Sequence, residues 1–145
     1  MKPIIKYRGG KSKEIPQILP YIPQFTGRYI EPFFGGGALF FYLEPSNAII
    51  NDINENLINF YNDVRNNYYK IKKELSSIEI EYKKNRAVFD KLKEQYPDDR
   101  INDQNEKLYY KIRDMYNGLC ETNLSYGTLY YFINKTIHHI QRNHN

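Results

Sequence analysis

The chain has 145 residues and 17.4 kDa, enough for one domain with a real core, since a domain of this size buries roughly two-thirds of its unfolded surface. Lys and Arg number 21 against 17 Asp and Glu, a net charge of +4, so an anionic partner is permitted and not demanded. Cys120 is the only cysteine, which excludes an internal disulfide and a cysteine-rich metal site and fits a reducing compartment.

Residues 1–28 carry Lys2, Lys6, Arg8, Lys11, Lys13 and Arg28 against Glu14 alone, so one end of the molecule is basic. Met1-Lys2-Pro3-Ile4-Ile5 runs into Lys6, Arg8 and glycines rather than an apolar leader core. No run reaches membrane-spanning length. The expectation is a cytoplasmic protein with no membrane partner.

In chain order, Lys6-Tyr7-Arg8-Gly9-Gly10-Lys11 is a glycine-centred loop, and Ser12 with Glu14 can start a helix that Pro16, Pro20 and Pro23 keep short. Arg28 to Glu31 reads as a buried strand ending at Pro32. Gly35-Gly36-Gly37 then turns into an apolar helix over Ala38 to Leu43. Ala48-Ile49-Ile50 is a second short buried strand that delivers Asp52 at its carboxyl end, and Leu57, Ile58, Tyr61 and Val64 recur at helical spacing. The pattern is βαβα, implying a parallel sheet with a right-handed crossover.

From Tyr68 the character changes. Ile71, Leu75, Ile78, Tyr82, Asn85, Phe89, Leu92 and Tyr96 alternate spacings of four and three, predicting one long helix with an apolar seam that ends at Pro97-Asp98-Asp99. Leu108, Ile112, Met115 and Leu119 predict a second helix folding back as a hairpin, with Gly118 near its end. A third apolar stretch spans Leu129 to Ile133. Ile137 to Asn145 hold all three histidines, show no recognisable element and form no metal-ligand spacing.

A glycine turn between a parallel strand and its helix leaves backbone N–H groups open to a ligand carboxylate or phosphate. Gly35, Gly36 and Gly37 can serve so, or they are a flexible connection. A dinucleotide fingerprint needs a third glycine where Phe40 stands, which disfavours NAD. Asp52 is placed to accept from both hydroxyls of a ribose, and equally to cap the helix starting near Asn54. Tyr7 and Lys11 could meet an aromatic ring and a carboxylate, or form a solvated surface turn. Phe33 and Phe34 either flank a ligand ring or pack the sheet. Lys70, Lys72, Lys73, Lys83 and Lys84 read as a solvated face, with phosphate contact as the alternative.

Taken together, four segments resemble the Dam-like (D12 class) adenine-N6 DNA methyltransferases. Lys6-Tyr7-Arg8-Gly9-Gly10-Lys11 is similar to the family's K-[WY]-x-G-G-K segment, and Glu31-Pro32-Phe33-Phe34-Gly35-Gly36-Gly37-Ala38 to its E-P-F-x-G-x-G motif. Asn51-Asp52-Ile53-Asn54 is similar to its [AN]-D-x-N segment, and Phe132-Ile133-Asn134-Lys135-Thr136 to its [LY]-N-K-T stretch. The resemblance covers residues 1 to about 136. It implies an α/β, partial Rossmann-like methyltransferase fold binding S-adenosylmethionine, with a helical target-recognition insertion and duplex DNA as partner. The implied cofactor residues are Tyr7, Lys11, Phe34, Gly35, Gly37 and Asp52, with the turn beneath the methionine portion and Asp52 on the ribose. The implied organisation is 1–67 cofactor binding, 68–136 the first part of the insertion and 137–145 a divergent tail.

The family's catalytic [DN]-P-P-[YFW] motif, in which the aromatic ring stacks on a flipped adenine, has no counterpart among these residues. None of the prolines at 3, 16, 20, 23, 32, 45 and 97 follows an Asp or Asn. No catalytic residue is therefore assigned. The chain is expected to be truncated or frameshifted and inactive in methyl transfer by itself. The alternatives are a non-enzymatic basic helical module that binds DNA or a partner, and one half of a split enzyme whose second polypeptide supplies the motif.

Overall fold

The computed structural model describes residues 1–142, with side chains through residue 136. The chain divides into two compact units, Met1–Asn59 and Phe60–Asn145.

The first unit holds helix α1 (Ile15–Ile18), a 3-10 turn (Leu19–Tyr21), strand β1 (Tyr29–Glu31), helix α2 (Ala38–Leu43) and strand β2 (Ala48–Ile50), then the start of α3 (Glu55–Gln95). Pro16 and Pro20 each sit in the first turn of their helical segment, where no N–H is needed. β1 and β2 pair in parallel with Ile30 opposite Ile49, joined through α2. On one face the Tyr29 ring meets Phe40 of α2, and Phe34, Phe40 and Phe41 contact one another edge-on or tilted. Ile5, Ile15, Phe34, Ala38, Phe41 and Leu57 are buried.

The strands are not buried on both faces as expected. Ile30 is 61% exposed and its partner Ile49 45%, because alternate residues of a strand face opposite ways and α2 is the helix that covers one face.

In the second unit α3 continues past a break at Asn67 (φ −127°, ψ 25°), one residue before the change in sequence character. Asn67 Nδ2 donates to Asp63 Oδ1 at 2.6 Å there. Helices α4 (Gln104–Tyr116) and α5 (Tyr126–Arg142) follow, so the third apolar stretch is a helix and its span covers most of the 137–145 tail; residues 143–145 lie outside the described residues. Asp103 caps α4 by accepting from Asn105 N at 2.8 Å. Gly118, at φ 71°, closes the helix as its N–H bonds Met115 O and that of Leu119 bonds Asp114 O.

The core of this unit joins all three helices: Ile78 from α3, Leu108, Tyr109 and Ile112 from α4, Leu129 and Phe132 from α5. The N-terminus of α5 is held by two carboxylates of α3. Asp63 Oδ2 accepts from Gly127 N at 2.6 Å, and Glu74 accepts from Ser125 N, Ser125 Oγ and Thr128 Oγ1. A Cβ on Gly127 would stand 2.7 Å from Ile71 Cδ1, so the helix start lies close against α3.

The seam of α3 departs from expectation in its last turns. Asn105 Nδ2 donates to Tyr82 O at 3.0 Å, which places the start of α4 beside Tyr82 and leaves no part of this short helix alongside the turns beyond. Leu92 and Tyr96 are accordingly 36% and 45% exposed rather than core.

Candidate functional site

The two glycine loops of the first unit meet. In the N-terminal loop Gly10 N–H bonds Tyr7 O at 3.1 Å, closing a tight turn with Gly9 at φ 73°. Tyr7 then lies against the second turn: a Cβ on Gly35 would sit 3.5 Å from its ring, and one on Gly36 would sit 3.2 Å from its Cβ. Here glycine is demanded by close approach. At Gly37, φ 67°, a Cβ would collide with the Phe34 ring at 2.3 Å. Phe34 is 2% exposed, so its ring is a wedge beneath the turn and packs on Phe40 and Phe41. Phe33, at 87%, faces outward.

Asp52 braces the same turn from behind. Its Oδ2 accepts from Gly35 N at 2.7 Å, and its Oδ1 accepts from Asn54 N at 2.9 Å. Asp52 is therefore not the cap of the following helix, and its carboxylate makes a tie across 17 residues that fixes the turn. The cap near Asn54 is made by Asn54 itself, whose Oδ1 accepts from Leu57 N at 3.3 Å. Each carboxylate oxygen retains a further lone pair.

A cleft of about 260 Å³ opens over the turn, lined among others by Tyr7, Gly10, Lys11, Glu31, Phe33 and Gly36. Asp52 is not among its lining residues. Lys11 is exposed and pairs with Glu14 at 3.3 Å. The N–H groups of Gly35 and Gly37 are engaged, by Asp52 and by Phe34 O, while that of Gly36 has no partner among the described residues. An acceptor such as a carboxylate oxygen suits it. A second cavity of about 610 Å³ shares Tyr7 and Gly36 with this cleft and is bordered by Lys2, Lys6 and Tyr42.

Glu31 was not singled out as a site residue from the sequence. It stands at the carboxyl end of β1, lines the cleft and accepts from the Tyr29 hydroxyl at 2.9 Å. Burial pushes its carboxyl above the usual carboxylate value, against the lowering effect of the Tyr29 hydroxyl and the Phe40 N–H. Burial and the Glu31 carboxylate push the Tyr29 phenol up in turn. The available signal was position, since a charged residue at the end of a short strand next to a glycine turn faces the ligand side of an α/β unit.

Strand, glycine turn, helix and parallel strand, with an acidic residue after the second strand, define a crossover unit suited to a nucleotide-like ligand. Residues 7–145 match the family described as D12 class N6 adenine-specific DNA methyltransferase, and the chain belongs to that family. It is 34% identical over 128 residues to the type II methyltransferase M1.LlaDCHI of Lactococcus lactis subsp. cremoris, covering 85% of this chain and 44% of that protein. It is 36% identical over 126 residues to the type II methyltransferase M.MjaIII of Methanocaldococcus jannaschii, covering 81% and 38%. With M.CviBI of Paramecium bursaria Chlorella virus NC1A the figures are 30% over 138 residues, 94% and 43%. The chain thus spans less than half the length of these relatives. No helix among the described residues is long and apolar enough to cross a membrane.

Proposed function

We propose that this chain is the cofactor-binding and first target-recognition portion of an adenine-N6 DNA methyltransferase, acting on duplex DNA, with residues 1–67 forming part of a Rossmann-like S-adenosylmethionine site and residues 68–136 the beginning of a helical recognition insertion. The observation that carries the reading is the Gly35–Gly37 turn, braced by Asp52 and packed against Tyr7, with Gly36 in the cleft lining and its N–H without a partner among the described residues. The donors and acceptors fit the cofactor's polar groups. Gly36 N–H and Lys11 suit its carboxylate, Glu31 its ammonium, and the remaining lone pairs of Asp52 its ribose hydroxyls. The Tyr7 ring offers an aromatic face, and Gly37 keeps the turn seated on Phe34. When bound, the cofactor supplies a methyl group activated on a sulfonium.

These residues hold a cofactor and carry no group that would accept protons from an adenine amino group in the family's manner. The Asp/Asn-Pro-Pro-aromatic segment is absent from them. The chain alone is expected to bind S-adenosylmethionine without methylating DNA, and a polypeptide bearing that segment is what would complete the reaction. Calorimetric titration of S-adenosylmethionine is expected to show binding that weakens about tenfold or more in Asp52→Ala, the scale of losing one hydrogen bond to a charged group. Asp52→Asn, which keeps one acceptor for the turn, should fall between the two. Absence of binding, or binding indifferent to both substitutions, would reject the site. Methyl transfer to duplex DNA by the pure chain would reject the division of labour.

A further inference from the structure

The face of α3 turned away from the helical core carries a row of cations that the cofactor reading does not use. Ile71 and Ile78 point inward and are buried, so at about 100° per residue the opposite arc between Tyr69 and Lys84 presents Tyr69, Lys72, Lys73, Ser76, Lys83 and Lys84 around the apolar Ile80, all exposed. No carboxylate falls within this arc. Glu74 is turned onto Ser125 and Thr128, and Glu79, at the margin, pairs with Lys83 at 2.6 Å. Lys72, Lys73 and Lys84 make no ion pair among the described residues, whereas past Lys84 the helix returns to matched signs with Arg86 on Asp90. The row is about 22 Å long at 1.5 Å per residue, comparable with six base-pair steps of duplex DNA at 3.4 Å each.

Resting on the reading of the chain as part of a DNA methyltransferase, we infer that this face of α3 seats on the phosphate backbone of duplex DNA through Lys72, Lys73 and Lys84, with Tyr69 against the backbone at one end. A solvated helix face ordinarily mixes the two signs to support itself through pairs one turn apart. Here the ammonium groups of Lys72 and Lys73, and of Lys84 about three turns further on, lack such pairs and lie on the side of the helix opposite the one anchored in the core. The contacts are of the positioning kind, indifferent to base sequence.

The test measures binding of the full chain to a labelled 20-bp duplex by fluorescence anisotropy over a range of salt, comparing wild type with Lys72→Ala/Lys73→Ala/Lys84→Ala and with Lys107→Ala/Lys111→Ala, which removes two exposed lysines from α4. Alanine preserves helix propensity, and circular dichroism checks the fold. The triple variant is expected to bind at least about tenfold more weakly at 100 mM salt and to lose two to three units of salt slope, close to 0.9 per phosphate contact, for duplexes of any sequence. The α4 variant should behave as wild type. An unchanged slope in the triple variant, an equal loss in the α4 variant, or no duplex binding by the wild type would each overturn the inference. Binding to phosphatidylserine vesicles without binding to duplex, lost in the triple variant, would overturn it in favour of an anionic membrane. S-adenosylmethionine titration of the same proteins reports separately on the cofactor site, so failure there with the salt-slope loss intact sinks the functional reading and leaves the α3 surface standing.

Discussion

Gly35 and Gly37 both take positive φ, and their surroundings separate what each tolerates. At Gly35, φ 49°, a Cβ would meet the Tyr7 ring at an ordinary 3.5 Å, so Gly35→Ala carries backbone strain alone, about 1–2 kcal/mol. At Gly37 the same strain adds to a collision with the buried Phe34 ring at 2.3 Å, so Gly37→Ala should cost about 2–5 kcal/mol. Denaturant melts of the two variants check the order, and equal destabilisation would show that Phe34 yields. Glu31 supplies a pH test. Its folded carboxyl holds a proton to higher pH than its unfolded one, so its contribution to stability is complete below the unfolded value and is lost as pH rises through the folded one. Glu31→Gln keeps an acceptor for the Tyr29 hydroxyl and removes the charge. Relative to wild type the variant should therefore gain more stability at pH 7 than at pH 4, and an equal difference at both would contradict the assignment.

Among the elements, α3 shows how far periodicity can be trusted. Every fourth or third residue from Ile71 to Tyr96 is apolar save Asn85, yet among the described residues the core shared with α4 and α5 takes none of this seam beyond Tyr82. Ile78→Ala should cost about 2–4 kcal/mol, in keeping with a buried aliphatic side chain, while Leu92→Ala should stay within about 1 kcal/mol. Thermal melts of the pair distinguish this from a seam packed along its whole length. β2 and α2 were legible at the level of single residues, and β1 to within one, because Ala38 to Leu43 and Ala48 to Ile50 are apolar runs bounded by glycine, proline and asparagine. The tie between α3 and α5 was not legible. Asp63 and Glu74 look like ordinary surface acids in sequence, and their partners Ser125, Gly127 and Thr128 lie 51 to 64 positions away.

At the scale of the molecule, the family assignment and the architecture meet in the first unit's two-stranded sheet. Its strands have open outer edges, and its Ile30 and Ile49 face is uncovered. Parallel strands are normally covered on both faces, and an exposed apolar face with unpaired edges favours association. Light scattering of the pure chain should show concentration-dependent association that Ile30→Thr/Ile49→Thr reduces without lowering the melting temperature. Association unchanged by the pair would place the sticky surface elsewhere.

Local order was settled by the residues themselves: glycines and prolines punctuate the chain, apolar spacing sets the helices, and four motif segments in sequence resemble the D12 class that residues 7–145 match. Those are short-range properties, readable wherever neighbours in sequence decide the backbone. Tertiary structure alone decided which groups line the cleft over the glycine turn. It put Tyr7 on the glycine turn, hid the Phe34 ring under Gly37, tied Asp52 to Gly35 N and brought Glu31 into the lining. Burial and hydrogen-bond partnership depend on what packs across tens of residues, which no local pattern encodes.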